Sequence, residues 1–195
     1  MEREKVLELV RKNVTNKNLF KHCLAVEAIM HATARQLNAI NENTNSDNKK
    51  IDEEKWAITG LVHDIDYDKT ADDPAQHSLI GAKILAENGF DEEIIYAVKA
   101  HNGYHGLELK NPMDIALFAA DPLSGLIVAS ALINPAKKLN AIDTRFVLNR
   151  FKEKLFAKGA NREQISACTK LGIELERFIE IGLKSMQEIA GDIGL

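Results

Sequence analysis

The stretch WAITGLVHDID, residues 56–66, decides how the chain is read. Trp56, Gly60 and His63 recur at helical spacing, and Asp52 stands upstream as a candidate N-cap, so the run predicts a helix over 52–64. That helix ends on an imidazole and a carboxylate side by side. An acid at a helix C-terminus opposes the helix dipole, so Asp64 needs another source of stabilisation, and a cation supplies one. Ile65, Asp66 and Tyr67 then leave the helix and open a pocket beside the pair.

Outward from this stretch, apolar residues keep three-to-four spacing in both directions and predict an all-α chain. Helical patterns run over 2–13, 16–37, 74–88, 91–101 and 113–134, then over 143–157 and 161–190, the last opening on Asn161 as N-cap. Between Asn38 and Lys50, NAINENTNSDNKK has no apolar face and reads as an exposed loop inserted within one domain. A length of 195 residues with 45% hydrophobic content suits a single domain. We expect a core over 16–134 and a charged helical extension over 143–191 that packs or forms a homodimer.

A net charge of −4 gives the surface as a whole no attraction for polymeric nucleic acid or an anionic membrane, so any anion must be caught locally. The opening MEREKVLELVRKNV lacks the apolar core of a signal peptide. Ile115 to Ile133 is a long apolar stretch, but Asp121, Pro122, Ser124 and Gly125 interrupt it. An Asp at a membrane centre costs about 2.5–3.5 kcal/mol, so a buried helix pair is expected rather than a span. Cys23 and Cys168 are isolated, pointing to neither a disulfide framework nor a thiolate zinc site. A cytoplasmic location is the expectation.

Four of the six histidines fall among apolar residues on helical wheels. His22 shares a face with Val26, Ile29 and Met30; His63 follows Trp56 and Gly60; His77 precedes Ile80 and Ile84; His101 follows Ala97 and Val98. One such residue is ordinarily a hydrogen-bonded core histidine, whereas four together call for a shared partner. Asp121 precedes Pro122, as an N-cap precedes a first-turn proline, but Ile115 to Ala120 predict its burial and hence a charge partner. His31, near Glu27 and Arg35, reads as surface, and His105 in HNGYHG as a loop residue.

In order and setting, His22, LVHDID at 61–66, His101 and Asp121 resemble the H…HD…D signature of HD-domain phosphohydrolases, over residues 16–133. The chain looks most like small uncharacterised members with an HDxDY-type stretch. The resemblance implies an HD-type helical bundle in which His22, His63, Asp64 and Asp121 bind one divalent metal, with Asp64 able to bridge to a second. His77 and His101 match the expanded H…HD…H…H…D pattern of binuclear members, hydrolytic and oxidative. Relatives that cleave cyclic dinucleotides carry two adjacent histidines where this chain has His101-Asn102, and Gly where it has Asp66, which speaks against that substrate.

Mixed imidazole and carboxylate ligation suits one or two Mn, Fe, Co, Ni or Zn ions better than Ca or Mg. Two such ions carry more charge than Asp64 and Asp121 return, leaving a positive site for phosphate. The expected activity is hydrolysis of a small phosphorylated substrate, such as a nucleotide, by a metal-activated water. Asp64 and His63 would stand at the reacting centre. Asp66 reads equally as a general base or as a polar-turn acid, and Asp68 as a cap of the next helix. Lys69 and Lys83 are the nearest cations in sequence for a phosphate, against the plainer reading of solvated lysines. Two other functions use the same ligands: an HD-fold diiron oxygenase, and a non-catalytic module that keeps metal and senses a nucleotide.

Overall fold

Asn16 starts the helix around which the chain is built. Its Oδ1 accepts from the amides of Asn18 and Leu19, and α2 runs from there over Lys17–Asn43. Val26, Ile29 and Met30 on its inner side are fully buried, each contributing about 1.5–3 kcal/mol. The computed structural model describes residues 2–44 and 50–195, and among them the chain is all-α, with no strand.

Helix α2 lies against α3 (Glu53–Val62), which Asp52 caps through Lys55 N. Their crossing is close because of Gly60: a Cβ there would stand 2.7 Å from the Val26 carbonyl oxygen and 2.9 Å from Glu27 Cα. The far ends are joined by Asn38, whose amide donates to Ile51 O at 3.0 Å and Glu53 Oε1 at 2.9 Å, while its Oδ1 accepts from Ile51 N at 2.8 Å. The loop expected from Asn38 is therefore helix as far as Asn43, and Asn38 is buried. Three hydrogen bonds to the far side of the connection outweigh the weak helix propensity of this Asn-rich run. Residues 45–49 of the expected loop lie outside the described residues.

The remaining elements are α1 (Arg3–Asn13), α4 (Tyr67–Thr70), α5 (Leu79–Glu87), α6 (Glu92–His101), α7 (Pro112–Ile133), α8 (Thr144–Lys152), α9 (Arg162–Ser166), α10 (Leu175–Glu188) and α11 (Ala190–Ile193). Helix α7 is one element, matching the helical pattern over 113–134 rather than a helix pair, and Asp121-Pro122 lies inside it rather than at its start. Ala119, Ala120, Leu123, Leu126 and Ile127 are all fully buried, and packing over that length overrides the local proline signal. By length and composition α7 could cross a membrane, with mean hydropathy 1.8, but 61% of that window is buried within the protein and its apolar character serves the core.

The extension is part of the same core. Phe178, Ile179, Leu183 and Met186 of α10 are buried in a cluster that includes α2 and α7 residues. The expected helix over 161–190 begins at the Asn161 cap but breaks, because Gly172 adopts φ 72° and ends the 3-10 turn Ala167–Leu171 before α10 starts. Helix α8 stops at Lys152, short of Ala157, and the Arg162 guanidinium donates to the Phe151, Phe156, Ala157 and Ala160 carbonyls at 2.6–3.1 Å.

Since the α2–α3 contact is backbone on backbone, Gly60→Ala forces the helices apart. We expect it to lower stability by about 1–3 kcal/mol in urea unfolding.

Candidate metal centre

Five elements deliver the six residues. His22 comes from the first turns of α2, His63 and Asp64 from the end of α3, His77 from the turn before α5, His101 from the last turn of α6, and Asp121 from the middle of α7. His77 was expected within a helix over 74–88, but α5 starts only at Leu79 because Ser78 sits at φ 69°, a left-handed conformation costly for a residue with a Cβ. Packing on both sides holds that turn: Asn102 Nδ2 donates to the Pro74 and His77 carbonyls at 2.9 and 3.1 Å, and His105 Nε2 donates to His77 O at 2.8 Å.

The donor atoms meet around Asp64. Its Oδ2 lies 3.5 Å from the Nε2 atoms of both His22 and His63, and its Oδ1 lies 3.4 and 3.5 Å from those of His77 and His101. His22 Nε2 is also 3.2 Å from Asp121 Oδ1 and 3.1 Å from His63 Nε2. Donors held roughly 2.0–2.2 Å from one cation stand about 3–3.5 Å from one another, so these spacings suit ligands to a shared ion. Three overlapping triads bring their ligand atoms within 4.8 Å of one another: His22-His63-Asp64, His63-His101-Asp121 and Asp64-His77-His101.

The opposite edge of every ring shows which atoms face inward. His63 Nδ1 lies 2.8 Å from Gly60 O and His101 Nδ1 2.6 Å from Val98 O. A carbonyl only accepts, so both rings carry their proton there and turn a lone pair toward Asp64. His77 Nδ1 donates to Asp66 Oδ1 at 3.1 Å. His22 Nδ1 donates to Ser124 Oγ at 2.9 Å, and that hydroxyl passes its own proton to Asp121 O at 2.8 Å. In their neutral forms the four imidazoles thus turn lone pairs toward two carboxylates, the electronic arrangement of a cation site.

Without a cation, a proton takes its place. Burial disfavours the His22 imidazolium, but Asp121 and Asp64 outweigh it and push its pKa up to about 10. Burial takes His63 the other way, down to about 4. Against their own burial, Asp64 is held well below the usual carboxylate range by His63, His101 and His22, and Asp121 is held below it by His22. Burial likewise opposes the His101 imidazolium, and Asp64 raises it.

The other candidates fall outside this shell. Asp66 is fully buried behind His77, one oxygen on its Nδ1 and the other accepting from Gly81 N at 2.7 Å, so it orients the His77 ring and is closed off from solvent. Asp68 caps no following helix; its Oδ2 accepts from Thr15 N at 2.6 Å and Asn16 N at 3.0 Å, tying α4 to the start of α2. Lys83 points into solvent, 4.0 Å from Glu87, and Lys69 reaches Asn13 Oδ1 at 3.4 Å. Asp121 is less buried than its neighbours predict: its side chain is 33% exposed and that of His22 25%, whereas His63 is sealed, so the centre opens on the α2–α7 side. His31 lies near Glu53 and Glu54 in a separate groove of about 640 Å³ along α2 and α10, which contains none of the six ligands. Ser124 and Asn102 escaped the sequence reading; the signal for Ser124 was its position three residues after Asp121, on the same helical face.

Fold and centre together define an all-helical protein of the histidine–aspartate metal-binding class. The chain belongs to the HD domain family, whose sequence profile matches residues 19–144 and so spans all six of these residues. HD domains bind divalent metals and form a superfamily of metal-dependent hydrolases. The chain is 29% identical over 186 residues to an uncharacterised protein of Methanocaldococcus jannaschii, covering 92% of this chain and all of that one. It is 27% identical over 110 residues to ribonuclease Y of Oleidesulfovibrio alaskensis, covering 56% of this chain but 18% of that enzyme. No solved structure gives a significant match.

Elemental analysis tests the assignment. Asp64→Ala is expected to remove bound metal while helical circular dichroism persists, and His77→Ala to halve the metal content. Asp66→Asn, which turns an amide toward one of two donors, is expected to weaken binding at the His77 side by about 10–100-fold and leave the His22 side loaded.

Proposed function

We propose that the protein hydrolyses a phosphate ester of a nucleotide or another small phosphorylated metabolite, using two divalent transition metal ions. The observation that carries this reading is the split of Asp64 between two histidine pairs, Oδ2 toward His22 and His63 and Oδ1 toward His77 and His101. Divalent ions bound there supply a water of lowered pKa and positive charge for phosphate oxygens. The protein's own part is placement. His63 and His101, locked by the Gly60 and Val98 carbonyls, cannot swing away, and Asp66 and Ser124 do the same for His77 and His22.

Substrate would enter over His22 and Asp121, the exposed members of the set. A net charge of −4 favours a small anion over a long polyanion, and the short ribonuclease Y likeness adds phosphodiesters to the bonds worth testing. Lys83 plays no part in this reading, since it faces solvent with Glu87.

The test is turnover by protein loaded anaerobically with manganese, cobalt or iron, on p-nitrophenyl phosphate, its bis ester, nucleoside monophosphates and a short RNA. We expect hydrolysis of at least one phosphate ester, lost in Asp64→Ala. Oxygen consumption by the iron form with no ester cleaved would replace hydrolysis by oxidation. Nucleotide binding without turnover in any metal form would leave a binding module.

A further inference from the structure

Tyr67 follows Asp66, which holds His77, and its amide donates to Asp64 O at 3.0 Å, so its position is tied to the backbone of Asp64. Its ring stands edge-on to the His77 imidazole, centroids 5.0 Å apart and planes at 85°. The residue is 38% exposed although its ring packs on the buried His77, so it stands between that imidazole and solvent. Of the three tyrosines, Tyr96 donates its hydroxyl to Glu108 O at 2.8 Å, whereas the hydroxyls of Tyr67 and Tyr104 have no hydrogen-bond partner among the described residues; Tyr104, 65% exposed, lies edge-on to His105, and only Tyr67 packs on one of the six clustered residues. Lys83 is turned to solvent beside Glu87 and Lys69 reaches Asn13, so neither of these two cations stands at the centre.

We propose that Tyr67 is a substrate-binding residue whose phenolic O–H donates a hydrogen bond to a phosphate oxygen not engaged by the metals. The inference rests on the phosphate-ester reading above. A neutral donor suits this place: it adds a charge-assisted hydrogen bond to the anion without adding positive charge that would repel the ions themselves. The ring, separately, screens His77 from water.

The variant Tyr67→Phe keeps the ring and removes only the donor. Calorimetric titration of metal-loaded protein with inorganic phosphate, alongside elemental analysis, separates the two roles. We expect unchanged metal content and phosphate affinity reduced by about 10-fold or more, with Tyr104→Phe binding as the parent does. Phosphate should also perturb the tyrosine ultraviolet spectrum of the parent and not that of Tyr67→Phe. Equal phosphate affinity in parent and Tyr67→Phe would overturn the role of the hydroxyl and leave the phosphate reading intact. Loss of metal from Tyr67→Phe would overturn it in favour of a role in the centre itself. No phosphate binding by the loaded parent would bring down both readings.

Discussion

Six side chains from five parts of the chain point hydrogen-bond acceptors at one small volume, and every other feature of the structure is arranged to keep them there. Imidazole lone pairs facing carboxylate oxygens at 3.2–3.5 Å repel unless something positive lies between. A proton on His22 relieves part of this, consistent with its pKa near 10, and divalent ions held there would relieve more of it. The site is a deliberate electrostatic debt of the fold, held open by hydrogen bonds on the outer edges of the rings.

Those outer bonds explain why the surrounding helices are where they are. Gly60 lets α3 approach α2 closely enough for His63 to reach His22, and the Gly60 carbonyl also holds the His63 ring. Asp66 joins the α4 turn to the start of α5 and orients His77. Ser124 couples His22 to α7, across 102 residues of sequence. Small residues and buried polar groups that look incidental along the chain thus act as the rigid outer layer that metal ligands require. The left-handed Ser78 belongs with them, since strain at that turn is what brings His77 round to Asp64.

The C-terminal third contributes by packing. Helix α10 buries Phe178, Ile179 and Met186 in the core that also holds α2 and α7, the helices bearing His22 and Asp121. The open side of the centre lies between those same two helices. The extension therefore braces the two sides of the entrance, although it contributes none of the six ligands.

The helices, their approximate order and the ligand types were legible from sequence because they depend on local spacing: apolar residues three and four apart define a face, and a histidine on that face either finds a partner or does not belong there. His63 and Asp64 were readable for the further reason that a carboxylate at a helix end demands compensation. What lay beyond local spacing was decided by contacts between distant segments. Asp121-Pro122 looks like a helix start, but burial on both sides carries α7 through it. Asn38 looks like loop, but it pins Ile51 and Glu53. Asp66 reads equally as a general base or a polar-turn acid, but the fold seals it behind His77, and Tyr67, legible only as leaving the helix, packs its ring on that same histidine. Periodicity tells which way a side chain faces along its own helix; only the packing of helices determines what it meets there.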